Sequence, residues 1–467
     1  MERAAPSNLN YQDVLPIAIS SKAQTRSFFP EGGSSYGPNG GSKPSVVRIP
    51  VSADSFLDGP NSYIRMDLKN TATHGASPAI SNEILGFDYP QSFIQRVRIL
   101  SGDGTVIEDI NEYGRLYAGI LYPSQASQGM YSEGGITNAQ SDFYKSSTTT
   151  TGSSPSITSV TLTQAEPLHN GVTAPTGGLA HGATAHLCFN LAAGFLNLSK
   201  FVPLPMMSSG FIVELSFGSN GSVGTFSTGA PNADAWEISN IRYEAHLVSL
   251  DREFGDRLRM VMEASGGVLQ LASSTYRHFS GQWGASATAA TINCPVRAKS
   301  IKSILFKNTI EADVVGNAKF GVSSGCSHAI ESFQFRVGSV AYPSAPVNCG
   351  AAAANKSIPY MELRKAFGTL NDYLHGSPLT QKGTYLSSAT ASAAAGASGI
   401  VGPLGYSFDS FPSTALESGT NSAANSLVTT LELKGGTGGS TATTVDIYAM
   451  CDMMVYVNLD GSVSVSV

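Results

Sequence analysis

Three acidic residues, Glu108, Asp109 and Glu112, lie within a few positions of one another. Two carboxylates at that spacing could share general acid and general base work. They also stand at the start of a predicted helix, where negative charge offsets the positive end of the dipole, and that is the role expected of them. His181, His186 and Cys188 form the nearest approach to a metal-ligand set. Residues 186 and 188 share a face in a strand. The spacing matches no zinc pattern, and no second pair completes it. His278 beside Arg277, and His328 near Cys326, lack the third group that would orient a nucleophile and its base. Neither Gly32-Gly33 nor the run Gly435 to Gly439 is followed by Lys-Ser or Lys-Thr, so neither is a phosphate loop. Trp236 and Trp283 are expected to anchor a core or an interface. No catalytic, cofactor-binding or metal-binding residue is therefore expected, no cofactor is called for, and the chain does not read as an enzyme.

The 467 residues suit two domains. Hydrophobic residues make up 42% and charged residues only 13%. A surface of small polar residues desolvates at low cost, which suits packing against copies of itself. The net charge of −6 excludes coating nucleic acid by charge, and no direct sequence-specific nucleic-acid binding is expected. The first 45 residues are nearly neutral, not a basic arm. Five scattered cysteines, Cys188, Cys294, Cys326, Cys349 and Cys451, read as buried free thiols of a reducing compartment. Met1 to Ser20 has no basic region followed by an apolar core, and no window suits a membrane span. Synthesis in the cytoplasm is expected.

Hydrophobic periodicity is that of β-strands almost throughout. Alternating runs occupy Val46–Val51, Tyr63–Leu68, Phe93–Ile99, Phe211–Phe217, Ser300–Phe306, Phe333–Val337, Leu427–Leu433 and Met453–Leu459. Helices are few. One is expected over Ile110 to Leu121 and another over Ile358 to Tyr373, with Leu363, Phe367 and Leu370 on one face. A third spans about Leu250 to Ala264, with an apolar stripe of Leu250, Phe254, Leu258 and Val261, and ends at Gly266-Gly267.

The two halves of the chain echo each other. Ser92 to Val97 matches Ser332 to Val337 at four of six positions. Each copy is followed by a helix, then a loop of small residues (from Lys145 and from Ser387), an aromatic strand region, an alternating strand and a closing strand. One sandwich domain used twice explains the series. The expected organisation is an N-terminal arm over 1–45, a first domain over 46–250, a linker helix over 251–264 and a second domain over 265–467. About eight strands per half fits a jelly roll. The fold class is thus all-β: two tandem eight-stranded jelly rolls with a few short helices and a linker helix.

Several segments carry a resemblance to a known family: Pro90 to Gly104 running into Asn111-Glu112-Tyr113; Asn190 to Asn197 leading to Lys200–Pro205; Arg336 to Pro343 with Pro346-Val347; Met361 to Gly368; and Ser418 to Asn421 before a closing strand through Gly461. Over roughly residues 46 to 467 the chain resembles the double jelly-roll major capsid proteins of polinton-like viruses, virophages and related large DNA viruses. The resemblance implies a virion protein that forms a homotrimer of pseudo-hexagonal outline and tiles an icosahedral shell. Its partners would be copies of itself, a separate vertex (penton) protein and minor capsid proteins. The loops over 123–185 and 376–400 are expected at the outer end of the tile, and the N-terminal arm inside or clasping a neighbour. The competing readings are a spike or vertex protein of the same particle and a two-domain β-sandwich carbohydrate-binding protein or glycosidase. The internal repeat weighs against the first. The lack of paired acids, exposed aromatics and a secretion signal weighs against the second.

Overall fold

Alternating apolar residues build two facing sandwich sheets in each half of the chain, each with four principal strands. The computed structural model describes residues 20–73, 84–86, 90–121, 143–146, 161–164, 179–223, 225–226, 231–264, 266–310, 330–350, 357–368, 403–410, 417–423, 427–435 and 442–467. The first half contains β1 (Ser21–Phe28), β2 (Val46–Val51), β3 (Phe56–Asn70), β4 (Ile94–Ser101), β5 (Val106–Asn111), β6 (Thr184–Phe189), β7 (Phe211–Phe217) and β8 (Trp236–Leu250). One sheet runs β1-β8-β3-β6 and the facing sheet β2-β7-β4-β5, all antiparallel. The second half contains β9 (Val268–Trp283), β10 (Ala289–Cys294), β11 (Ile301–Ile310), β12 (Ile330–Val337), β13 (Val340–Asn348), β14 (Leu404–Ser407), β15 (Thr429–Gly435) and β16 (Thr443–Asn458). Its sheets run β9-β16-β11-β14 and β10-β15-β12-β13. The order of these eight principal strands in the first half is repeated in the second. Each half is an eight-stranded jelly roll, and the fold is a double jelly roll.

The alternation puts one face of each strand inside. Val47, Ile49 and Val51 of β2 face Val213 and Leu215 of β7 within the first core. Trp236 sits edge-on to Phe93 and Phe217 at 5.1 and 6.0 Å. In the second core Phe306 packs edge-on against Phe333 and Phe335 at 5.1 and 5.9 Å. Both tryptophans are fully buried core anchors. A final strand, β17 (Val463–Ser466), pairs with β16.

Several sequence expectations are corrected. The segment read as an arm over 1–45 contains β1 from Ser21 onward, paired with β8 along its whole length from Ser21–Leu250 to Phe28–Tyr243. Its residues through Arg26 are exposed, so no apolar alternation announces it; backbone hydrogen bonds hold it in place. The helix expected from Ile110 begins later, because Ile110 and Asn111 still belong to β5. Helix α1 (Tyr113–Leu116) then runs into a π-helical turn over Tyr117–Leu121. Residues 184 and 185, read as loop, are in β6. The repeated motif falls on equivalent strands, β4 and β12, but not at equivalent places: Val97 pairs with Leu215 inside β7, whereas Val337 pairs with Thr429, the first residue of β15.

Helix α2 (Arg252–Ala264) joins the halves. It closes on Gly266 and Gly267, both at positive φ, with the Gly267 N–H donating to the Met262 carbonyl at 2.7 Å. Its apolar stripe differs from the expected one: Met262 is 1% exposed and Val261 is 59% exposed. Phe254 meets Phe56 edge-on, which seats the start of the helix on the first roll. Helix α3 (Ser357–Ala366) buries Pro359 and Leu363, while Leu370 lies outside the described residues.

The rolls stand side by side and the same way up. The end of β8 lies beside the start of β1, and the end of β16 beside the start of β9. Helix α2, about 20 Å long at 1.5 Å per residue, links those two ends. There the Ser208 N–H of the first roll donates to the Gly461 carbonyl of the second at 3.1 Å. At the opposite end, β3 finishes beside the start of β8 and β11 beside the start of β16. The connections after β3, β5, β7, β11, β13 and β15 all leave from that end.

Candidate functional site

Several buried ionisable residues gather at the seam between the two rolls. Strand β5 presents Glu108, which is 2% exposed. Its carboxylate accepts the backbone N–H groups of Gly194 and Phe195, each at 3.0 Å. Across the seam Thr275 of β9 bonds to it and Arg277 adds attraction, yet burial dominates and raises the carboxyl above its ordinary range. Gly194 is required here: a Cβ at this position would overlap the Ser274 carbonyl oxygen of the second roll.

Toward the end opposite α2, Asp446 of β16 is almost fully buried. His278 Nε2 lies 2.9 Å from its carboxylate, and the Arg115 guanidinium of the first roll donates to it at 3.1 Å. Burial alone would raise this carboxyl, but the His278 hydrogen bond and the Arg115 charge outweigh it and hold the group low. Arg115 is also within 3.4 Å of Glu112. Tyr448 donates its hydroxyl to the Glu112 carbonyl at 2.9 Å, and burial pushes its phenol well up. The seam is therefore a buried polar network with members on both rolls. It fixes their relative position by direction as well as by area.

This arrangement redistributes the residues singled out in the sequence. Glu108 and Asp109 sit in a strand, not at a helix start; Asp109 accepts two hydrogen bonds from Arg96, at 2.8 and 2.5 Å. Glu112 is the N-cap residue of α1 in a left-handed conformation and makes no capping bond with its side chain. His181 Nδ1 contacts the Ala72 carbonyl at 2.8 Å, whereas His186 Nδ1 contacts Asp67 at 2.6 Å. Cys188 lies near that Asp67, and burial raises its thiol. Among the described residues no three His, Cys, Asp or Glu side chains converge as a metal site. Cys294 and Cys451 are buried thiols, each pushed up to about 12. His328, Cys326 and Gly436 to Gly439 lie outside the described residues. Among the described residues no helix is long and apolar enough to cross a membrane.

Sequence reasoning missed Gly194, Arg115, Thr275, Asp446 and Tyr448. One signal was present: Asp446, like Asp452, interrupts the largely apolar run Thr443–Asn458, and an acid inside such a strand needs a buried partner.

No protein-family model matches the chain, and no curated protein sequence matches it. Solved structures do. The PBCV-1 VP54 crystal structure fitted into a cryo-EM reconstruction of the virophage Sputnik is 10% identical, with a TM-score of 0.58 over 98% of this chain and 99% of that one. The Faustovirus major capsid protein is 10% identical, with a TM-score of 0.53 over 96% and 92%. The cryo-EM structure of the Sputnik virophage is 9% identical, with a TM-score of 0.53 over 100% and 93%. At these identities the likeness is one of fold, and it extends over both rolls.

Proposed function

We propose that the chain is the major capsid protein of an icosahedral virion and acts as a structural subunit, not an enzyme. The observation that carries this reading is the repetition of one strand order in two rolls set side by side and the same way up. Three such chains present six similar side faces, so one gene product supplies the pseudo-hexagonal tile that a closed shell needs. Closed symmetry repeats each contact, and weak contacts sum over the lattice. The likeness in fold to the Faustovirus major capsid protein supports the same reading.

The connections that leave opposite α2 would form the outer relief. The α2 end would face the interior, together with the residues before β1, which serve as an arm inside the shell or clasp a neighbour. A separate vertex protein would fill the fivefold positions, and minor capsid proteins would join tiles. The protein would be made in the host cytoplasm and function in the virion. Light scattering on the purified chain tests this: a stable species near three times 48.6 kDa is expected, with electron microscopy of assembled particles showing hexagonal tiles. A protein that stays monomeric at assembly concentrations would refute it.

A further inference from the structure

Lys302 stands on β11, the strand between β14 and β16 in the second roll. The Phe408 N–H donates to the Lys302 carbonyl at 2.8 Å, and the Asp452 N–H donates to the Ser300 carbonyl at 3.1 Å. The ladder therefore brings Asp409 and Asp452 to the Lys302 side chain from its two neighbours. The ammonium lies 3.2 Å from the Asp409 carboxylate and 3.7 Å from that of Asp452. All three side chains are largely withdrawn from water, with 15%, 10% and 8% exposed for Lys302, Asp409 and Asp452.

Ser418 turns this ion pair into a proton path. Lys302 Nζ donates to Ser418 Oγ at 2.7 Å, and Ser418 Oγ donates in turn to Asp409 Oδ1. The ammonium and the carboxylate thus meet twice: directly at Asp409 Oδ2, and through a hydroxyl that can pass a proton from Nζ to Oδ1. An ion pair needs no such relay; the condensation of an amine with a carboxylic acid does. Groups held in contact by a rigid sheet react at a high effective concentration, about 10⁵ M or more in well-oriented cases. Condensation also removes a pair of charges whose desolvation is costly. Asp452 keeps partners when the ammonium disappears, because it accepts from Ser300 Oγ at 2.7 Å and from the Glu417 N–H at 2.8 Å.

We infer that Lys302 and Asp409 condense to an intramolecular isopeptide bond, a covalent tie between β11 and the end of β14. One proton passes from Nζ through Ser418 to Asp409 Oδ1, leaving an amine and a carboxylic acid. The Nζ lone pair attacks Cγ, and Asp452 offsets the positive charge that develops on nitrogen. A second proton follows the same path, the Cγ–Oδ1 bond breaks, and Oδ1 departs with both protons as water. Nζ keeps one hydrogen in the new amide, so no oxidant or other reactant is needed. The water leaves into a cavity of about 620 Å³ that Lys302, Asp409 and Asp452 help to line. Strand β14 lies at the sheet edge and meets β11 through four residue pairs, from Ser303–Ser407 to Phe306–Leu404; the bond locks it there. The step goes beyond the capsid reading and stands independently of it.

Mass spectrometry of the full-length protein tests it. The chain should be lighter than its sequence requires by one water molecule, and a tryptic digest should yield a branched peptide joining Lys302 to Asp409. Linear peptides carrying both residues unmodified, with no branched product, would overturn the proposal, and this wild-type digest decides it whether or not a variant folds. Lys302→Met removes the nucleophile and should restore the full mass; a persisting deficit would place the lost water elsewhere and overturn it as well. Ser418→Ala, checked for a wild-type circular-dichroism spectrum, should form the branched peptide about 100-fold more slowly after synthesis. An unchanged rate would overturn the proposed route through the serine.

Discussion

Two buried carboxylates at the seam respond to acid in opposite directions. Asp446 is held below the ordinary carboxylate value by His278 and Arg115, against the burial that would raise it. Its stabilising contribution is complete above the unfolded-state value near 4 and is lost as pH falls through the lower native one. Glu108 is raised by burial. The folded state therefore binds its proton more tightly than the unfolded state. The associated stability is full below the ordinary glutamate range and declines as pH rises through the native value. Denaturant midpoints should show this: between pH 7 and pH 5 the wild type should gain stability relative to Glu108→Gln, which carries no titrating group there. A constant difference between the two would mean that Glu108 is not the group responsible. At neutral pH, Asp446→Ala leaves Arg115 in the seam without its buried partner. The expected loss is about 3 kcal/mol, read as a lowered urea midpoint. A change below about 0.5 kcal/mol would show that the Arg115–Asp446 pair does not hold the rolls together.

Helix α2 is the element at which the sequence misleads by one residue. Its expected stripe placed Val261 inward, whereas the helix buries Met262 and leaves Val261 in solvent. Met262→Ala should therefore destabilise the chain by about 2 kcal/mol or more, whereas Val261→Ala should stay within about 0.5 kcal/mol; equal effects in thermal or denaturant unfolding would contradict the observed facing. Strands were easier to read than this helix, because period-two alternation survives wherever one face is buried, as in Phe211–Phe217. Strand β1 left no such trace: Ser21–Phe28 is an edge strand exposed along most of its length. The seam was hidden for another reason. Glu108 and Thr275 are remote in sequence, and a local pattern carries no information about which distant strand will cover a carboxylate. Only Asp446 and Asp452 announced themselves in β16, as charges in a largely apolar run.

At the scale of the whole molecule, the decisive fact is that both rolls point the same way. The two longest connections, after β5 and after β13, leave from one end, opposite α2, Ser208 and Gly461. Chain inserted into a connection already long adds little closure entropy, since each doubling costs only about 0.6 kcal/mol. Chain inserted between Asp460 and Gly461 must instead separate Gly461 from Ser208, where a Cβ on Gly461 would already crowd the Ser208 backbone. On the capsid reading proposed above, a short flexible epitope placed within 387–397 should leave both stability and assembly intact, and antibody should reach it on whole particles. The same epitope between Asp460 and Gly461 should lower the unfolding midpoint and reduce particle yield. If the first epitope were shielded on intact particles while protease cut freely before β1, the proposed tile would stand the other way up, with α2 outside and the two longest connections facing inward. That outcome would leave the double roll untouched and reverse its polarity in the shell, because nothing in the packing of one chain on itself depends on which end meets the solvent.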